Sequence, residues 1–185
     1  LAEQRLFGAQ EFGLEVLALR PRFVTGAGDV SIFPRMIALQ RKGRLAIIGN
    51  GLDKVDFTSV HNLNDALFGA LLAAGPALGK AYNISNGAPL PLWDAVNYVL
   101  RQLELPPVTR HVPVALARSL ATFSEGVCSL LPGRPEPALT RLAVDVMSRD
   151  FSLDISQARE HLDYQASHGL WPALDEFCRW WKAQG

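Results

Sequence analysis

Cysteine is scarce in this sequence: Cys128 and Cys178 are the two among 185 residues. They are too few for a disulfide scaffold and lack the paired spacing of a metal site. A reducing, cytoplasmic setting without a metal centre is therefore expected. A charge excess is also missing, since 18 Lys and Arg balance 18 Asp and Glu. Zero net charge leaves no field to collect nucleic acid, which is excluded as a partner. No apolar run reaches membrane-spanning length without a charge.

Two chemical signatures are missing as well. A dinucleotide fold carries G-x-G-x-x-G after its first strand, because the backbone must approach a pyrophosphate at a helix N-terminus. Gly26-Ala27-Gly28 and Gly49-Asn50-Gly51 are isolated pairs that read as turns. No Lys-Ser or Lys-Thr follows Gly8 and Gly13, so there is no P-loop. Proton exchange by a phenol needs a Lys four residues after the Tyr to lower its pKa. Here Tyr82 is followed at that spacing by Asn86, Tyr98 by Gln102 and Tyr164 by His168. No catalytic residue is assigned.

What is present is a globular composition, 49% apolar and 19% charged, rich enough for a core. The first residues, Leu1 to Phe7, read as the middle of a helix with no cap and no initiator Met, so the chain is expected to continue upstream. A helix over 1–12 stops at Gly13, and Leu14 to Leu19 reads as a buried strand ended by Arg20-Pro21. A glycine-bearing loop spans Val24 to Asp29, and a helix spans Ile32 to Arg41. Short strands follow at Leu45 to Ile48 and Asp56 to Val60. Asn62 is expected to cap the next helix, which runs to about Ala74. A strand is expected at Ala81 to Ser85, a helix at Leu92 to Leu103 and a short strand at Val108 to Val112. An apolar helix runs from Pro113 to Leu131, with Leu116, Leu120, Phe123, Val127, Leu130 and Leu131 nearly surrounding it. Further helices are expected at Ala138 to Met147, after Asp154, and at Pro172 to Lys182. Strands alternating with helices make the class α/β.

Other groupings are thin. Asp56, Ser59 and His61 are close in sequence, but nothing resembles a nucleophile elbow. His161 and His168 flank Tyr164 without further ligands. Arg20, Arg22 and Arg35 can form either an anion site or salt bridges.

Five segments, in order, resemble the C-terminal half of an extended short-chain dehydrogenase/reductase. Ala2-Glu3-Gln4 is similar to the helix after the family's Tyr-x-x-x-Lys. Leu19-Arg20-Pro21-Arg22-Phe23-Val24-Thr25-Gly26 resembles its L-R-P-x-x-V-Y-G segment. Gly49-Asn50-Gly51 with Val55-Asp56-Phe57-Thr58-Ser59-Val60 resembles its G-N-G…V-D-F-x-x-V element. Asn62 to Ala66 resembles the next helix start, and Gly79 to Asn86 its last core strand. The ending, with Phe151-Ser152-Leu153-Asp154, Ala158-Arg159, Leu162, Tyr164 and a Trp-rich last helix, is similar to the 3β-hydroxysteroid and sterol dehydrogenase branch. Leu90 to Trp93 and the helix after Pro113 fit that branch too.

The resemblance implies the trailing part of a Rossmann-type parallel sheet in residues 1–30, rejoined by 79–86, and a mainly helical substrate lobe over 31–185. It implies NAD or NADP as cofactor, flanked by Pro21, Arg22, Phe23 and Val24, with backbone groups near Phe23 and Val24 on the nicotinamide carboxamide. Hydride transfer would occur at a hydroxyl or ketone of an apolar substrate lined by Ile32, Met36, Phe57 and Trp93. Partners would be the upstream half of the protein, another copy, and a membrane surface touched by the apolar helix. Epimerases of nucleotide sugars usually carry Arg before the Asp-Phe pair, where it meets phosphates; Val55 stands there. Thr25 and Ala27 replace the usual aromatic and Pro. The alternatives are a nucleotide-sugar epimerase or dehydratase of the same superfamily, or a binding module without catalysis.

Overall fold

The computed structural model describes residues 2–130, 133, 137 and 139–184. In chain order the elements are α1 (Ala2–Gly8), β1 (Ala18–Pro21), β2 (Val24–Thr25), α2 (Ile32–Arg41), β3 (Ile47–Ile48), β4 (Lys54–Val55), β5 (Thr58–Ser59), α3 (Val60–Leu71), β6 (Ala81–Ile84), β7 (Leu90–Pro91), α4 (Leu92–Gln102), β8 (His111–Val112), α5 (Val114–Leu130), α6 (Arg141–Met147), α7 (Ser156–Leu162) and α8 (Leu170–Ala183). The class is α/β, with three parallel strand pairs and one antiparallel pair among the described residues. Leu1, Leu131 and Ala138, end residues of three of the expected helices, lie outside the described residues.

Two compact units divide the chain. The first comprises Leu1–Asp29, Asp56–Pro89 and Ser152–Gly185; the second comprises Val30–Val55 and Leu90–Phe151.

In the first unit β1 pairs in parallel with β6, Ala18 opposite Ala81 and Pro21 opposite Ile84. The strand expected at Leu14 to Leu19 therefore sits later. Pairing is set by the four residues β6 offers, and Pro21 takes the last place, where a missing donor is tolerated. Beneath this pair lies a core of Ala66, Tyr82, Ile84, Ile155, Ala158, Leu162 and Tyr164. The two phenols are satisfied inside it: the Tyr82 hydroxyl donates to Ala77 O at 2.7 Å and that of Tyr164 to Ser85 O at 2.9 Å. Gly69 lets α3 approach α7, since a Cβ there would lie 2.6 Å from Leu162 O.

Of the strand expected over Asp56 to Val60 only Thr58–Ser59 is strand, β5 paired with β2; Val60 opens α3, and β4, paired with β7, lies just upstream of the expected span. The break between β4 and β5 falls where the chain passes from one unit to the other. Asn62 is not the cap of α3. Ser59 is, its hydroxyl accepting from His61 N–H at 3.3 Å. Asn62 is fully buried inside the helix. There it donates to Asn86 Oδ1 and His168 O, and accepts from His168 N–H at 2.9 Å.

In the second unit α2 packs on α4, burying Phe33, Met36 and Ile37 on one helix and Trp93, Val96, Val99 and Leu100 on the other. Gly51, at φ +77°, sits where a Cβ would meet Ile47 at 2.7 Å and Trp93 at 3.3 Å. A second cluster joins Ile48, Ala117, Ala121 and Val144, holding α5 against α6. Arg118 bonds Asp145, and Arg141 bonds Glu125 at 2.7 Å. The reading of α5 as nearly surrounded by apolar residues is corrected here, because its large apolar residues share one face. Its buried positions are Ala117 and Ala121, while Leu116, Leu120, Phe123, Val127 and Leu130 are exposed.

Candidate functional site

The loop Pro21 to Thr25 leaves the end of β1, the side of an open α/β sheet where ligands bind. Pro21 fixes the exit of the strand. Arg22 N–H then donates to Ile84 O at 3.1 Å and to Thr58 Oγ1 at 3.2 Å. The Thr58 hydroxyl lies 2.5 Å from Arg22 O and 3.0 Å from Ile84 O, and Thr58 N–H donates to Phe23 O at 3.1 Å. One buried threonine thus ties the loop to both β5 and β6.

Phe23 sits at φ +42°, a backbone region most non-glycine residues avoid at a cost of order 1 kcal/mol. Its ring packs 5.7 Å from that of Phe57, and the Arg22 guanidinium lies 4.3 Å over its face. Burial pulls the Arg22 guanidinium below its usual range, and the nearby Asp56 charge acts in the opposite sense. Asp56 is buried, with one oxygen accepting from Leu153 N–H at 2.6 Å and the other without a partner among the described residues.

The predicted cofactor residues are therefore one continuous loop: Pro21 exposed, and Arg22, Phe23 and Val24 half-buried. Of the predicted substrate residues, Phe57 stands beside Phe23. Ile32 and Met36 on α2 and Trp93 on α4 belong to the second unit; Ile32 is half-buried, Met36 and Trp93 buried. The Trp93 indole N–H has no acceptor among the described residues. A surface depression bounded by Arg159, Asp163, Tyr164, Gln165 and Ala166 holds none of these residues.

Two polar residues, Thr58 and Asn86, were given no role by the sequence reading, and a third, Thr25, was noted there only as a departure from the family's pattern. Thr58 and Asn86 bind the loop and β5, Asn86 through its Oδ1, which accepts from Ser59 N–H at 2.8 Å. Thr25 is buried, with its hydroxyl unpaired among the described residues. A hydroxyl left so costs about 1–3 kcal/mol, which a ligand amide or a trapped water relieves. A nicotinamide carboxamide, both donor and acceptor, fits that chemistry. The available signal was a β-branched hydroxyl in an otherwise apolar strand.

The other groupings resolve differently. Ser59 Oγ caps α3 and the His61 ring pairs with Glu176 at 2.7 Å, so Asp56, Ser59 and His61 form no relay. Arg20 is committed to Glu3, its Nε donating at 2.7 Å, which removes it from an anion site. Burial pushes the Tyr164 phenol up to about 12, with Asp65 adding to the shift, far from a proton-transfer role near neutrality. Among the described residues no cluster of three His, Cys, Asp or Glu can hold a metal, and no helix is long and apolar enough to cross a membrane.

No family model matches the chain. It is 36% identical over 167 residues to the 2-alkyl-3-oxoalkanoate reductase of Stenotrophomonas maltophilia (strain K279a), covering 89% of this chain and 51% of that protein. It is 30% identical over 179 residues to 3beta-hydroxysteroid-dehydrogenase/decarboxylase isoform 1 of Arabidopsis thaliana, covering 89% and 41%. Its fold matches the UDP-glucuronic acid 4-epimerase of Bacillus cereus in complex with NAD, with TM-score 0.62 at 18% identity, over 95% of this chain and 47% of that one. In sequence and in fold the chain is similar to proteins of the extended short-chain dehydrogenase/reductase superfamily. It spans about half the length of the curated relatives it matches. Val55 is fully buried, pairs with Leu90 and bridges Phe151.

Proposed function

We propose that this chain is the C-terminal part of an NAD(P)-dependent oxidoreductase that transfers hydride at a hydroxyl or ketone of an apolar, sterol-like or long-chain substrate. The observation that carries this reading is the 36% identity to a 2-alkyl-3-oxoalkanoate reductase over 89% of the chain. A 3beta-hydroxysteroid dehydrogenase among the relatives supports it, because both names place the reacting carbon in an alkyl-rich skeleton. The bound nicotinamide would supply the hydride chemistry. Residues 1–30 with 79–86 would continue the cofactor domain, and the rest of 31–185 would serve the substrate.

This chain's residues hold and orient. Pro21 and Arg22 would flank the nicotinamide, and the backbone of Phe23 and Val24, with the Thr25 hydroxyl that has no partner among the described residues, would meet its carboxamide. Phe57, beside Phe23, would serve the substrate from the first unit, and Ile32, Met36 and Trp93 are kept as proposed substrate residues of the second. The buried Val55 argues against the nucleotide-sugar alternative, since a phosphate-binding Arg has no counterpart there. The proton-transfer pair lies outside this chain: the hydroxyls of Tyr82 and Tyr164 are engaged by Ala77 and Ser85, and neither has a partner Lys. Alone, the chain is inactive. Leu67, Phe68, Leu71 and Leu72, exposed along α3, give the upstream half an apolar surface to dock on.

Calorimetry tests this. The 185-residue chain should bind neither NADH nor NADPH tighter than about 1 mM, a free energy of about −4 kcal/mol. Extended upstream through its reading frame, the protein should bind one of them and reduce a 2-alkyl-3-oxo acid or oxidise a 3β-hydroxysterol. Tight cofactor binding by the short chain, or UDP-sugar turnover by the long one, overturns the reading.

A further inference from the structure

The chain carries two Asn-Gly pairs, Asn50-Gly51 and Asn86-Gly87, and the fold handles them differently. Glycine has no Cβ, so its backbone nitrogen is unshielded toward the side-chain amide of the asparagine before it. Asn86 is held fast in the first unit. Its Oδ1 accepts from Ser59 N–H at 2.8 Å and from the Asn62 amide at 2.7 Å. Its backbone N–H donates to Phe57 O at 2.7 Å, and Gly87 N–H donates to Ser85 Oγ at 3.1 Å. The amide carbon is thus fixed by β5 and α3, and the nitrogen that could attack it is engaged.

Asn50 belongs to the second unit and is exposed in the turn between β3 and β4. Its Oδ1 accepts from Leu52 N–H at 2.9 Å. That donor polarises the amide carbonyl and faces the oxygen that turns negative when a nucleophile adds to Cγ. Gly51 N–H has no acceptor among the described residues. Gly51 itself cannot be exchanged freely. It sits at φ +77°, and a Cβ there would strike Ile47 at 2.7 Å and Trp93 at 3.3 Å. Packing therefore requires glycine after Asn50, and with it the unshielded nitrogen.

We infer that Asn50 is a self-modification site: the folded chain deamidates there through a succinimide, spares Asn86, and is loosened by the isoaspartyl product. The Gly51 nitrogen gives its proton to hydroxide and its electron pair to Cγ of Asn50, forming the C–N bond of the ring. The Cγ–Nδ2 bond breaks, and the nitrogen takes a proton from water and leaves as ammonia. A water molecule then opens the ring at either carbonyl, leaving aspartate or isoaspartate. The sum is one water consumed and one ammonia released, with no change of oxidation state. Isoaspartate routes the backbone through the former side chain and lengthens it by a methylene. Gly51 has no room to take up that displacement, because Ile47 and Trp93 close its site. The inference is independent of the enzymatic reading, because it uses neither the loop nor the cofactor.

The test is incubation of the 185-residue chain at about pH 9, where the attacking nitrogen loses its proton more readily than near neutrality. Tryptic peptides 45–54 and 81–101, which hold Asn50 and Asn86, are then followed by mass spectrometry. In the folded chain Asn50 should convert at least about tenfold faster than Asn86, a barrier difference of about 1.4 kcal/mol or more. In urea the two pairs should react at similar rates, because the fold alone separates them. Asn50→Gln should stop the conversion in peptide 45–54. The isoaspartyl fraction, isolated by ion exchange, should unfold at lower urea than the parent. Asn50→Asp, which adds the charge without lengthening the chain, should unfold with the parent. The inference is overturned if Asn86 keeps pace with Asn50 in the folded chain, or if the rate ratio survives in urea. It is equally overturned if peptide 45–54 stays intact while the urea-unfolded chain converts, or if the isoaspartyl fraction is as stable as Asn50→Asp.

Discussion

Helices α8 and α5 each carry an apolar stripe in the sequence, and the fold treats them in opposite ways. Along α8, Leu170, Leu174, Phe177 and Cys178 are buried. The Phe177 ring sits 5.9 Å from that of Trp181 and 6.1 Å from that of Trp180. Along α5 the large residues face outward, and two alanines make the contact with the rest of the unit. A stripe therefore identifies a face that seeks cover. Whether the chain itself provides the cover depends on the volume available at the packed side, and α6 leaves room there only for methyl groups.

The largest expected contrast is in stability. Phe177 is fully buried against its own unit, so Phe177→Ala should remove about 3–5 kcal/mol of unfolding free energy in urea, the cost of a lost aromatic and the cavity it leaves. A loss under about 1 kcal/mol would mean that α8 is not held by this residue, and the contrast with α5 would collapse.

The second test uses titration on the buried side. Burial, then Asp175, pushes the Cys178 thiol of α8 up to about 11 from an ordinary 9.0, and Tyr164 in the same unit is raised to about 12 from 10.0. Both groups are neutral when protonated, so the fold favours their protonated forms. Their contribution is complete below the unfolded pKa values and is lost as pH rises from about 9 toward 11 and beyond. Denaturation at pH 8 and pH 11 should differ by about 1–3 kcal/mol, with the more stable protein at pH 8. Cys178→Ala should shrink the difference. An unchanged difference would place the alkaline sensitivity elsewhere.

These contrasts show how far residues alone lead. The class, the boundaries of α2 and the loop Pro21 to Val24 were legible because local signals agree: Gly43 at φ +62° follows α2, and Pro21 ends a strand. The superfamily was legible from five ordered segments. The cap of α3 was not, because Ser59 and Asn62 are both good caps by type. Only the pairing of Asn62 with His168, 106 residues away, takes that side chain out of competition. Thr58 was missed for a related reason. Its hydroxyl serves two strands that meet only in the fold, Arg22 on one side and Ile84 on the other. The outward face of α5 was also hidden, because spacing tells which residues share a face and not which face is covered.

The smallest effect tests the exposed side of the comparison. Phe123 has the same side chain as Phe177 but is 73% exposed. Phe123→Ser should change the unfolding free energy by less than about 0.5 kcal/mol, as surface substitutions do. The ring makes little contact within the chain, so its removal leaves no cavity. If Phe123→Ser cost about 2 kcal/mol or more, a range reached on losing buried packing, α5 would be packed against its own chain and the two helices would no longer differ.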